Sequence, residues 1–480
     1  MKNSDSNIYF NHKRRFIYSF IGTIIYFIGI MTPFGIGQYS VYITSYFHNF
    51  NPKINIQLGN LMMPILTLSL SLSSPLGGFL EHKFGMHLTL IINSIILEIL
   101  IFVFISQQNI YLTFVLIILI GMTIGSVITI PGKNICFYYP KKRGLIISLI
   151  TSCNVIIGSM INVLGEKIIN PEKITLKKNE TFYPINIAKN YIKFYKISLL
   201  VIPICSLISF PFLKQYKQPD GDHKEKLEKN FNINEFIEKE NYSGNIKAAI
   251  CNSRIWKITF ISIFSQFGMG FALSTFRVYG ALISINGTLM QYAPMIFGAS
   301  LIIFGPVWGY INDKFQSFKL VKIICLCFIF VSVMLSLFIQ SNIIYIICLF
   351  IGSIFNTGIN SLMRPYIMKI YGMKYFIEIG GVITICVGII NIFKGLLSFL
   401  ISLYYHTGKE LQVPYRIIFI IGIGLNILAY ILALSEKEEE FVYPFANSKI
   451  NSEDLSNNIV NKVDINTSEN SDVMVKNNIK

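Results

Sequence analysis

Lys394 is the one charged residue in a run of roughly 30, between Glu378 and Lys409, through Val382-Ile-Thr-Ile-Cys386 to Phe399-Leu-Ile-Ser-Leu403. A stretch so apolar is long enough to cross a bilayer, which takes about 20 residues. An ammonium inside it costs at least ~2.5–3.5 kcal/mol on insertion scales, and such groups usually face a bundle interior or a wet cavity. The chemistry open to it is non-covalent: neutralising a carboxylate or another anion near the midplane, or coupling charge. A structural ion pair and a lysine snorkelling to the surface are the alternatives. Lys394 lies ~27 Å of helix after Phe376, which argues against easy snorkelling. Asn391, one turn earlier on the same face, is placed to hydrogen-bond a ligand.

Other residues extend this chemistry. Arg277 is the one charge in its apolar span and offers a second, bidentate carboxylate clamp; near a span end, it also fits a gate or lipid-facing role. Glu98 interrupts Ile95-Ile-Leu-Glu-Ile-Leu-Ile101. A bare carboxylate there would meet hydrocarbon, so it is either protonated, as a proton-coupling acid would be, or paired with a base. Gln38 and Tyr42, late in the first span beside Pro33 and Gly35, either line a cavity or pack. Lys133, near a span end, lines a vestibule or snorkels.

These groups need a membrane around them. The 480 residues are 53% hydrophobic and 14% charged, with a mean hydropathy of +0.56, too little charge for a soluble surface of this size. About twelve apolar spans follow one another, near 16–46, 56–80, 88–106, 110–132, 144–165, 191–213, 255–283, 289–311, 320–340, 343–368, 376–404 and 413–434. The fold class is therefore all-α integral membrane, with twelve transmembrane helices in two six-helix bundles. The expected division is a polar N-terminal tail (1–15), a first bundle (16–213), a Lys/Glu/Asn-rich central loop (214–254), a second bundle (255–434) and a disordered tail (435–480). No cleavage site follows the first span, so it is read as retained. The net charge of +16 does not indicate nucleic acid, because Lys and Arg gather in alternate loops. The positive-inside rule then puts both termini in the cytosol. The plasma membrane is the expected location, with an organelle membrane as the alternative. The eight cysteines lie in or beside spans and read as space-filling thiols.

The halves share a segment. Pro75-Leu-Gly-Gly-Phe-Leu-Glu-His-Lys-Phe84 aligns without a gap on Pro306-Val-Trp-Gly-Tyr-Ile-Asn-Asp-Lys-Phe315, each closing the second span of its half. A duplicated six-helix unit predicts this. Gly78, Glu81, His82, Lys83 and Gly85, with Asp313 and Lys314 in the second copy, resemble the loop signature of the major facilitator superfamily. His82 occupies the position of the usual Asp and Gln316 that of the second Gly. The latch attributed to that signature is thus expected to use a different acid in the first half. Gly121-x-x-x-Gly125 and Gly305-x-x-x-Gly309 are read as sites of close helix approach.

A narrower resemblance covers Pro131 and the run Tyr139-Pro140-Lys141-Lys142-Arg143-Gly144, which is similar to the oxalate/formate antiporter and monocarboxylate porter branch. Pro131, Pro140, Lys141, Arg143 and Gly144 carry it. That branch places a carboxylate-binding lysine where Lys394-Gly395 stands; the Arg it carries in the eighth span is missing, with Gly305 there. The resemblance implies a secondary transporter of a small organic anion, as proton symport or anion exchange, acting as a monomer in a lipid bilayer. Pantothenate, a neutral metabolite and a non-transporting receptor are the other readings. Without a nucleotide-binding loop, zinc spacing or nucleophile elbow, the sequence gives an enzyme reading no support and implies no cofactor.

Overall fold

A bilayer gives backbone amides no partner, so each apolar run must bond to itself, and a helix does so. The computed structural model describes residues 2–55, 58–139, 142–172, 174, 182–216, 250–282, 287–315, 319–337, 341–371, 376–404 and 412–436. Its first half comprises α1 (Lys2–Ile30), α2 (Gly35–Gln38), α3 (Ser40–His48), α4 (Gly59–Phe84), α5 (Met86–Ser106), α6 (Ile110–Val127), α7 (Ile130–Cys136), α8 (Arg143–Ile169), α9 (Ile185–Ala188) and α10 (Asn190–Phe212). The second comprises α11 (Ser253–Leu282), α12 (Gly287–Phe315), α13 (Lys319–Leu337), α14 (Asn342–Tyr371), α15 (Phe376–Tyr404) and α16 (Gln412–Ser435). Residues up to Glu436 form one unit; the tail from Lys437 and most of the central loop lie outside the described residues.

Among the described residues nine helices are long and apolar enough to cross a membrane, ten if the bent first pair is one span. With α11 and α12, of 30 and 29 residues, every expected span has a helix. Only 33–56% of each apolar window is buried. The remainder, including Leu207, Phe330 and Ile343, faces outward, as lipid permits and water does not. The polar residues that open the chain belong to α1, which begins at Lys2. The first span bends by 42° where Pro33, Gly35 and Gly37 weaken the ladder.

Within each half, helices pack on near neighbours: α4 on α6 and α1 on α10, then α11 and α13 on α16 and α12 on α14. Gly121 and Gly125 bring α6 onto α4 at Leu66 and Leu70. Extensive contacts also join the halves, α4 with α15 and α8 with α12. On α15, Gly381, Gly388 and Gly395 recur every seven residues and meet Pro75, Ser71 and Pro64 of antiparallel α4. A methyl added at those glycines would come within 2.6, 2.6 and 2.7 Å of Pro75 Cγ, Ser71 Cβ and Pro64 Cγ. A seven-residue repeat keeps one face on a partner helix, and small residues let the backbones close in. The α8–α12 seam is built alike: a Cβ on Gly144 would stand 2.8 Å from the Gly309 carbonyl, and one on Gly305 2.9 Å from Ser152 Oγ. The Ser152 hydroxyl donates across the seam to the Leu301 carbonyl at 3.2 Å.

Gly85 ends α4 at φ +77°, ψ 163°, a conformation essentially confined to glycine, and its N–H caps the Glu81 carbonyl at 2.8 Å. Gly85→Ala is expected to cost roughly 1–3 kcal/mol, read as a lower Tm in detergent. An unchanged Tm would show that the turn relaxes freely.

Candidate functional site

The seams fix where charge can sit. Successive helical residues turn by about 100°, so once Gly395 faces α4, its neighbour Lys394 is aimed toward α11. There Gly270 leaves room: a methyl on it would stand 2.6 Å from Lys394 Nζ. Lys394 is 8% exposed, and among the described residues no acid pairs with it. Gly395 packs on Pro64, the sixth residue of α4. Lys394 therefore sits past the middle of α15, nearer the end of the bundle where α4 begins than the sequence reading placed it. Asn391 is half-buried one turn away. Arg277 lies two turns along α11 from Gly270, in register with the same face; its side chain is outside the described residues.

The other expected site residues lie elsewhere. Glu98 is half-buried on α5 between the exposed Ile95 and Ile99. It makes no ion pair or hydrogen bond with the described residues and lies apart from Lys394, on a helix that packs against α6, α10 and α4. Gln38 is exposed on α2. Tyr42 is already engaged: its hydroxyl donates to Glu166 Oε1 at 2.6 Å and accepts from Asn170 Nδ2 at 3.3 Å. Glu166 escaped the sequence reading because, beside Lys167 at the end of a span, it looks like an ordinary loop charge.

A second cluster lies at the face where α4 and α12 end and α8 and α15 begin, called the basic face for its lysines and arginines. Lys133, 4% exposed, binds Glu81 Oε2 at 2.8 Å, so it neither snorkels nor lines a vestibule. With Glu81 so occupied, the acid opposite His82 comes from the other half of the chain: Glu378 Oε1 stands 3.1 Å from His82 Nε2, over Gly78. In the second copy Asp313 accepts the Gly144 and Leu145 N–H groups, each at 2.8 Å, on the positive end of α8. Lys83 and Lys314 each lie over the following Phe ring, at 5.3 and 5.7 Å from its centroid. Pro131 opens α7 and is buried, and Arg143 is buried at the start of α8. Pro140, Lys141 and Gln316 are outside the described residues.

The comparisons agree with this architecture. The human organic anion transporter MFSD10 (TETRAN) superposes with a TM-score of 0.55 at 13% identity, covering 88% of this chain and 99% of that one. The proton:xylose symporter XylE, bound to 6-bromo-6-deoxy-D-glucose, gives a TM-score of 0.64 at 12% identity, over 88% and 94%. The E. coli fucose:proton symporter FucP gives 0.56 at 12% identity, over 87% and 99%. At such identities the likeness is one of fold. No curated protein matches the sequence. The family model for the Major Facilitator Superfamily matches residues 16–393, most of the chain, and the protein belongs to that superfamily.

Proposed function

We propose that this protein moves a small organic anion, a mono- or dicarboxylate, across the plasma membrane by alternating access, as proton symport or anion exchange. The observation that carries the reading is Lys394, an ammonium buried against Gly270 with no acid beside it among the described residues. A lone buried charge costs several kcal/mol, and an anionic substrate is the partner that would offset it. A net positive site also concentrates anions. The register of Arg277 on the Gly270 face supports it as a second clamp, with Asn391 as a polar contact. Glu98, unpaired among the described residues, is the candidate proton carrier. The partly matching motif through Pro131, Arg143 and Gly144 supports the oxalate/formate and monocarboxylate branch, whereas the fold, shared with transporters of sugars and of organic anions, does not choose between cargoes. In this reading the bundles are 16–213 and 255–434, the basic face is cytosolic, and the protein works as a monomer.

The test is uptake of labelled formate, lactate, pyruvate, oxalate and pantothenate into proteoliposomes, with and without a pH gradient. Saturable uptake of one anion is expected, reduced at least about tenfold in Lys394→Ala, the size of effect that ~1.4 kcal/mol of lost binding produces. Uptake that depends on the gradient assigns proton coupling. If no carboxylate moves, or Lys394→Ala transports as well as the parent, the anion reading fails, and binding without flux would mark a receptor. Gly270→Ala crowds the Lys394 ammonium without touching its charge and is expected to raise KM several-fold while leaving the amount of folded protein unchanged. An unaltered KM would place the substrate away from this corner.

A further inference from the structure

We propose that Arg364 and Asn360 form a second anion-binding station inside the molecule, on the basic-face side of Lys394 and separate from it. The row that carries it is on α14. Asn356, Asn360 and Arg364 follow one another at four-residue steps, so they lie along one side of the helix. The Asn360 amide donates to the Asn356 carbonyl at 3.0 Å. Ile347 and Ile351, both exposed, stand about two and a half turns before Asn356 and Asn360 respectively, and so on the opposite side of α14. An exposed apolar side of a membrane helix meets lipid, whereas a polar side faces protein or an internal space.

Arg364 meets such a space. Its side chain is exposed between the buried neighbours Met363 and Pro365, yet protein surrounds it as fully as it surrounds a core residue. Both hold together where the open space lies within the bundle and not at its rim. A snorkelling arginine would instead carry its head to the rim, where protein covers one side of it only. The helix packs on α11, α12, α13 and α15 of its own half and on α8 of the other, so it stands against the boundary between the halves. No charged or hydrogen-bonding group among the described residues acts on the guanidinium. Its planar fork is suited to a carboxylate, held through two parallel hydrogen bonds. Asn360, exposed one turn away, keeps a second amide hydrogen for the same ligand.

Depth separates this station from Lys394. Arg364 lies about two turns, or ~10 Å, before Tyr371, where α14 ends at the basic face. Lys394 lies about five turns, or ~27 Å, past Phe376, where α15 begins at the same face. The two cations are therefore about 16 Å apart along the helices, farther than one small carboxylate reaches. They act in turn and not as a clamp: an anion that leaves Lys394 for the basic face passes Arg364 next. A carboxylate as the passing anion rests on the reading above; the positive station itself does not.

The test reads the field around Arg364 instead of flux. Asn360→Cys is introduced in the full-length chain with its native cysteines replaced. The purified protein, in detergent, is treated with methanethiosulfonates that carry either a sulfonate or a trimethylammonium group, and each rate is divided by that of a free thiol. The sulfonate is expected to be favoured about tenfold or more, since a cation about one turn away attracts one reagent and repels the other even at the dielectric constant of water. Arg364→Lys should keep that preference and Arg364→Gln should abolish it. Ile351→Cys, on the opposite side, should react with neither reagent. A thiol at position 360 that neither reagent reaches, or a preference that survives Arg364→Gln, would overturn the station. A preference found where no carboxylate is taken up would leave the station standing and remove the proposed cargo.

Discussion

Along the two seams that join the halves, helices in this protein touch nearly backbone to backbone, and that closeness governs the rest. Lipid tails are as apolar as leucine, so helices in a bilayer are held by contact area and polar bonds, not by escape from water. Along α4 and α15, and along α8 and α12, the contact comes from Gly, Ser and Pro, since a larger side chain would collide with the opposing helix. Seven-residue spacing of Gly381, Gly388 and Gly395 keeps that face on α4 throughout. It also fixes what the adjacent faces see. Lys394 is turned to α11 because Gly395 is turned to α4, and Gly270 makes the space its ammonium occupies.

The duplication is visible in geometry as well as in letters. The equivalent glycines Gly78 and Gly309 each underlie a contact with the opposite half. The equivalent lysines each cover the phenylalanine that follows. What differs is charge: the second half puts an acid against helix amides, whereas the first puts a histidine against an acid. His82 stands where the family's loop signature usually has an Asp, and the acid that faces it is Glu378 of the partner helix.

Much of the fold was legible because membrane helices announce themselves by length and apolarity, and each half could be checked against the other. The segment from Pro75 to Phe84 and its copy from Pro306 to Phe315 placed the second helix of each half, and Gly121 with Gly125 marked a close approach that the structure contains. Lys394 was legible as a charge with nothing like it nearby. Its depth was less so, because an apolar run does not say where its helix meets a partner; Pro64 does. Glu378 and Glu166 were missed for one reason. An acid at a helix end is common in any membrane protein, and only tertiary packing brings His82 to the first and Tyr42 to the second. Gly270 was invisible in the same way, since a glycine's use is the atom it leaves out. Lys133 was misjudged because its partner, Glu81, belongs to another helix.

The central claim is that the α4–α15 seam must part at the basic face for the protein to work. The direct measurement is a reversible cross-link, made with a short bifunctional methanethiosulfonate, between His82→Cys and Glu378→Cys, positions that face each other across the seam, in a chain otherwise without cysteine. Cross-linked protein in liposomes should take up none of the carboxylates that the untreated protein transports, and reduction should restore uptake. Undiminished uptake with the cross-link formed would contradict the account.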